Sequence, residues 1–111
     1  MDVNFKHTDP TPAEPIRIEQ VFAEKPGGGL VSNPEKDLPP TTPVKWNDSD
    51  ERYEAISESD SDSVPEYVTG NWVYAGQGDQ LVRLINGANL RKETAVITKE
   101  QAAKLPTIKL V

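Results

Sequence analysis

The sequence predicts a small, mainly β domain with one short C-terminal helix, preceded by an extended N-terminal arm. Three observations carry this. From Thr41 onward, short runs of alternating apolar and polar residues follow one another between turn-forming clusters. Only residues 98–106 carry both a helix start and a helix stop. Seven of the ten prolines, together with three consecutive glycines, fall in the first 40 of 111 residues, a composition that favours polyproline II and turns over packed structure.

Residues 1–40 therefore read as the arm and residues 41–111 as the compact β-rich body. Within the arm, "PIRIEQVF" (Pro15, Ile16, Arg17, Ile18, Glu19, Gln20, Val21, Phe22) alternates so that both isoleucines share one side of an extended strand, and no partner lies nearby in sequence. Gly27, Gly28 and Gly29 follow as a flexible hinge.

In the body, "PVKWND" puts Val44 and Trp46 on one face, and "RYEAI" does the same for Tyr53 and Ala55. The turn chemistry between them makes a hairpin. "SESDSDS", residues 57–63, has nothing to anchor it in a core and reads as an exposed loop. "VPEYVTGNWVYA" is interrupted by Pro65 and Gly70, so it fits an edge strand or two short pieces. "QLVRLI", residues 80–85, is the best strand in the chain, and "ANLRKETAVI" follows as a second β-type run. Between them Asn86-Gly87 is either a two-residue hairpin turn or a step inside one longer strand, with glycine where another backbone comes close. Thr98 as N-cap, Gln101 at the capping-box position and Pro106 as terminator define the helix. "TIKLV" closes the chain as a strand with Ile108 and Leu110 on one face.

Composition narrows the function classes. The net charge is −6, which disfavours binding to nucleic acid through phosphate neutralisation and to membrane surfaces. No apolar run approaches a spanning length and no leader pattern opens the sequence, so a cytoplasmic site of synthesis and assembly is expected. With no cysteine, there is neither a disulfide nor a thiolate. The charge is uneven: residues 41–80 are acidic and residues 81–111 basic, so the two parts would attract within one domain or between copies, or else form ordinary solvated surface.

Reactive constellations are absent from the sequence. "AGQGDQL" has Leu81 where a dinucleotide-binding loop needs glycine. "DSDERY" puts Arg52 at a ligand position of a calcium loop and Tyr53 where its glycine belongs. The sole histidine, His7, lies among prolines, and no serine has a base to activate it. The expectation is a protein that is not an enzyme and takes no metal or cofactor. Trp46, Tyr53, Tyr67, Trp72 and Tyr74 could form a stacking platform for bases or sugars, but in so small a domain they read as core or interface anchors. A body of about 70 residues without staples buries a modest core, which points to a symmetric homo-oligomer.

From "PVKWNDSDERYEAI" through "DQLVRLINGANLRKETAVI" to the closing "LPTIKLV", the chain resembles the head decoration proteins of tailed bacteriophages, of the lambda type. The shared features are a short strand ending in an aromatic and a turn, then a polar loop. A strongly β run with a small-residue-plus-glycine step follows, here Asn86-Gly87-Ala88, then a helical piece and a final apolar strand. The resemblance implies a compact, β-tulip-like subunit in which Gly87 lies within or beside a continuing ribbon. It further implies a homotrimer at local three-fold positions on the outer surface of the virion capsid. The arm residues Pro15, Ile16, Arg17, Ile18, Glu19, Val21 and Phe22 would add a strand to the major capsid protein. Trp46, Tyr53, Trp72, Tyr74, Leu84, Gly87, Leu90, Ile108 and Leu110 would form the core or the trimer interface. Other readings are a head-fibre base or another minor virion component, and a small acidic adaptor unrelated to virions.

Overall fold

The strand of residues 84–90 organises the fold, because it is buried along both faces, and such a strand needs neighbours on both edges and layers on both sides. A computed structural model describes residues 14–111. Its strands are β1 (Ile18–Glu24), β2 (Gly29–Val31), β3 (Pro43–Asn47), β4 (Arg52–Ala55), β5 (Tyr67–Thr69), β6 (Gln80–Val82), β7 (Leu84–Leu90) and β8 (Ile108–Leu110), with one helix, α1 (Lys99–Ala103), before the last strand. They form one sheet in the order β1-β7-β5-β3-β4-β2-β6, and β8 pairs with β7 off that path. The chain is mainly β, with a single short helix near the C-terminus among the described residues.

The two ends of this sheet belong to the same ribbon. Ile18 pairs with Leu90 and Glu24 with Ile85, and after a turn Gly29 pairs with Val82 and Val31 with Gln80. Residues 18–31 thus run antiparallel along the whole of residues 80–90, and the sheet between them curls like half a barrel. Inside the curl lies one core, built by Val31, Leu38, Val44, Tyr53, Val73, Val82 and Leu84. A second core, of Val68, Ile85, Ala88, Leu90, Ile97, Ala102 and Ile108, packs the helix and β8 against β7.

The hairpin of β3 and β4 forms as expected, with Val44 opposite Ala55 and Asn47 opposite Arg52. The helix also matches its signals: Thr98 accepts from the Gln101 amide, and the Gln101 side chain accepts from the Thr98 amide. Asn86-Gly87 is not a hairpin tip. Gly87 lies inside β7, buried and opposite Ala23.

Three expectations are corrected. Residues 18–40 are not a free arm, because Ile18–Glu24 and Gly29–Val31 are strands of the body's own sheet and Val31 is fully buried. Leu38 belongs to the first core as well. The domain boundary expected near residue 41 therefore falls inside one packed unit, and residues 1–13 lie outside the described residues. Of the two readings of residues 64–75 the edge strand is wrong, because β5 sits between β3 and β7, and the two short pieces are right, β5 and the bridge of Val73 to Leu38. The β-type run expected after Gly87 ends at Leu90, and residues 91–97 are turns whose backbone is held by Thr41, Ile97 donating to its carbonyl and Val96 to its hydroxyl.

Candidate interaction surface

β1 docks on β7 through three kinds of contact. Ile18 and Val21 are half-buried against the second core. Two ion pairs lie alongside: Arg83 grips Glu24 with two nitrogens, at 2.6 and 3.0 Å, and the Arg91 Nε donates to Glu19 at 2.6 Å. The two arginines of the basic end thus pair with the N-terminal glutamates, while its Lys104 reaches into the acidic middle. Arg83 holds the Glu24 carboxyl below its ordinary range, chiefly through that hydrogen bond. At the start of the segment Arg17 stacks over the Trp72 ring, 5.5 Å from its centroid, and Glu14 bonds both Arg17 and the Trp72 indole.

The register of β1 slips three times. Between Ile18 and Gln20, and again between Val21 and Ala23, β1 advances two residues while β7 advances one. Glu19 and Phe22 are therefore bulged. A bulge re-aims a side chain, and Phe22 points into solvent, 59% exposed, as does Ile16 at 56%. The third slip puts the extra residue, Asn86, on β7. That is why Ile85 and Ala88 reach the same core despite their odd spacing. On its far side β1 has no strand partner among the described residues.

The expected hinge is a fixed turn. The Gly28 amide donates to the Lys25 carbonyl at 3.0 Å, Pro26 occupies the second position, and Gly27, with φ of +77°, the third. This is the pattern of a type II turn. Gly28 follows at φ +71°, and a Cβ there would fall deep inside contact distance of the Val82 carbonyl oxygen. At Gly87 a Cβ would meet the Ala23 Cβ at 3.0 Å and its amide nitrogen at 3.3 Å. The backbone that the strand glycine admits is that of β1.

Of the residues expected in the core or an interface, Tyr53, Leu84, Gly87, Leu90 and Ile108 are buried, while Leu110 and Trp72 are half-buried. Trp46 and Tyr74 are exposed at the rim: Trp46 packs its edge on Tyr53 with ring centroids at 5.1 Å, and Tyr74 stacks on Trp72 at 6.2 Å. Leu30 and Leu81, opposite each other on β2 and β6, add an exposed apolar pair. No family model matches this chain, and no curated protein matches it.

The loop of residues 57–63 is anchored after all. Gln101, 1% exposed, donates to the carbonyls of Ser57 (2.9 Å) and Asp60 (3.3 Å), and Lys104 reaches the Ser61 carbonyl. Asp60 accepts from the Ser63 amide and hydroxyl, which hold its carboxyl below the usual range. The sequence signal for this anchor is the capping-box glutamine, whose amide nitrogen is free to turn inward once its oxygen caps the helix. Among the described residues no group of carboxylates and imidazoles is arranged to hold a metal ion.

Proposed function

We propose that this chain is a structural binding protein of a tailed-bacteriophage head. In this reading it decorates the outer surface of the expanded capsid as a homotrimer and contacts the major capsid protein through the outer edge of β1. The observation that carries the proposal is that edge. It is a seven-residue strand with its inner side paired and its outer side open among the described residues, and it carries the exposed Phe22 and follows the exposed Ile16. An open edge offers main-chain hydrogen bonds to an incoming strand, and neighbouring apolar side chains give the contact selectivity.

The resemblance to decoration proteins supplies the partner, and the ribbon through Gly87, the capped helix and the closing apolar strand are features it leads one to look for. Two bulges and two ion-paired glutamates shorten the flat part of the edge, as natural edge strands do to prevent unwanted pairing. A single contact is therefore weak. Three copies on one trimer act together, and linked sites exceed single-site affinity by about a hundred- to ten-thousand-fold.

The test is co-sedimentation with expanded and unexpanded heads, alongside the molar mass of the free protein by light scattering. Attachment to expanded heads by a trimer, lost in an Ile16→Asp/Phe22→Asp variant that keeps its circular dichroism, is the expected result. A stable monomer that ignores both kinds of head refutes the reading, and attachment at one vertex only would indicate a minor virion component.

A further inference from the structure

Residues 81–111 carry six lysines and arginines, and three of them are engaged. Arg83 holds Glu24, Arg91 holds Glu19, and Lys104 reaches the 57–63 loop. Among the described residues, Lys92, Lys99 and Lys109 have no carboxylate within ion-pair distance. These three line one groove of about 870 Å³, bounded by residues 95–98, α1 and β8, with Ala102, Ile108 and Leu110 contributing apolar surface. Glu58 is the single acid along it. On a chain of net charge −6 this is a local basic site with an apolar floor.

β8 also borders that groove with an edge that has no strand partner among the described residues. Its pairing with β7 is parallel and one-sided. The Ala88 amide donates to the Thr107 carbonyl at 3.0 Å and the Val111 amide to the Leu90 carbonyl at 2.8 Å. Backbone groups alternate in direction along a strand, so the Ile108 carbonyl and both polar groups of Leu110 face away from β7. The Ile108 amide is already used, donating to the Leu105 carbonyl at 2.9 Å.

We infer that this groove binds an extended acidic peptide, which adds a short strand to β8 and sets its carboxylates against Lys92, Lys99 and Lys109. Charge complementarity selects the acidic partner. The strand edge favours a peptide over an isolated anion, because a backbone pairs with both the amide and the carbonyl of Leu110 whereas an anion can only accept from the amide. The site is separate from the β1 edge, so it stands whether or not the chain decorates a capsid.

A short fluorescein-labelled peptide alternating valine with glutamate is the probe. Its binding to the full chain is read by fluorescence polarisation, and the Leu110 amide by nuclear magnetic resonance. Expected are saturable binding that weakens with salt, a shifted and exchange-protected Leu110 amide, and no binding of the valine–lysine counterpart. The Lys92→Glu/Lys99→Glu/Lys109→Glu variant should bind at least about tenfold more weakly, as loss of three exposed charge pairs predicts. A Lys25→Glu/Lys36→Glu control should bind as wild type, and a Lys→Gln triple variant should fall between. No saturable binding overturns the inference, as does unchanged affinity in the charge-reversed variant. Equal binding of plain polyglutamate without any change at Leu110 also overturns it, since it reduces the site to unspecific attraction.

Discussion

Replacing Gly28 by alanine separates a built turn from a swinging hinge. In a hinge that swings freely in the folded protein, alanine at Gly27 or Gly28 restricts folded and unfolded chains alike, so both variants keep the wild-type stability. In the structure both residues have left-handed backbones, φ +77° and +71°. An L-residue pays about 1–2 kcal/mol there. At Gly27 the added methyl has open space, whereas at Gly28 it is driven into the backbone of Val82, and overpacking adds about 1–3 kcal/mol. After subtracting the unfolded-state gain, Gly27→Ala should cost about 1 kcal/mol and Gly28→Ala about 2–4 kcal/mol. Urea titration followed by the fluorescence of Trp46 and Trp72 measures this. With a slope of about 1.5 kcal/mol per M, the Gly28→Ala midpoint falls by about 1–3 M and the Gly27→Ala midpoint by less than about 1 M. Equal midpoints for the two variants, or a Gly28→Ala midpoint at or above wild type, refute the docked ribbon.

Other consequences follow from single contacts. Leu90→Ala, at a fully buried site in the second core, should lose about 2–5 kcal/mol in the same titration. Thr98→Ala removes one half of the capping box and should cost about 1 kcal/mol. Gln101→Ala removes the other half and also strands the Ser57 and Asp60 carbonyls, so it should cost more than Thr98→Ala and speed proteolysis within residues 57–63. Because the Glu24 carboxyl lies below its ordinary 4.5 in the folded chain, its stabilising effect is complete above that pH and is lost as pH falls through the lower folded value. Glu24→Gln should flatten the acid limb of a stability–pH curve measured by urea titration at a series of pH values.

What was legible in the sequence was local. The β3–β4 hairpin follows from alternation on either side of a four-residue polar turn, and the helix from a capping box and a proline, all within a few residues of each other. In the N-terminal segment the local signals point outward although the segment is packed. Proline and glycine are rich there, "PIRIEQVF" has no neighbour, and its partner lies about 70 residues away, Ile18 against Leu90. No local rule encodes a pairing of that range. One trace was present: an isolated glycine in a strong strand announces a close backbone, and Ala23 is that backbone. Glu19 and Phe22 belong to the arm that the resemblance gives to capsid binding; two bulges, which alternation does not foresee, aim Phe22 at solvent and Glu19 at Arg91.

The docked ribbon also changes how a binding role for the N-terminal segment is tested. Deleting residues 1–24 would be harmless to the body if they formed a tether. Here it removes β1, uncovers the edge of β7 beside Leu90 and Ala88, and leaves Arg83 and Arg91 without their glutamates. The expected result is a loss of cooperative unfolding, seen as a broad thermal transition in circular dichroism, and failure to attach to heads would then say nothing about the edge. Outward-facing changes avoid this. Phe22→Lys replaces a side chain that is 59% exposed, and substitutions of that kind usually shift stability by less than about 0.5 kcal/mol. Loss of binding at unchanged stability assigns the contact to the edge of β1. If Phe22→Lys binds as wild type while the 1–24 deletion stays folded and cooperative, both the docked strand and the role given to its edge are wrong.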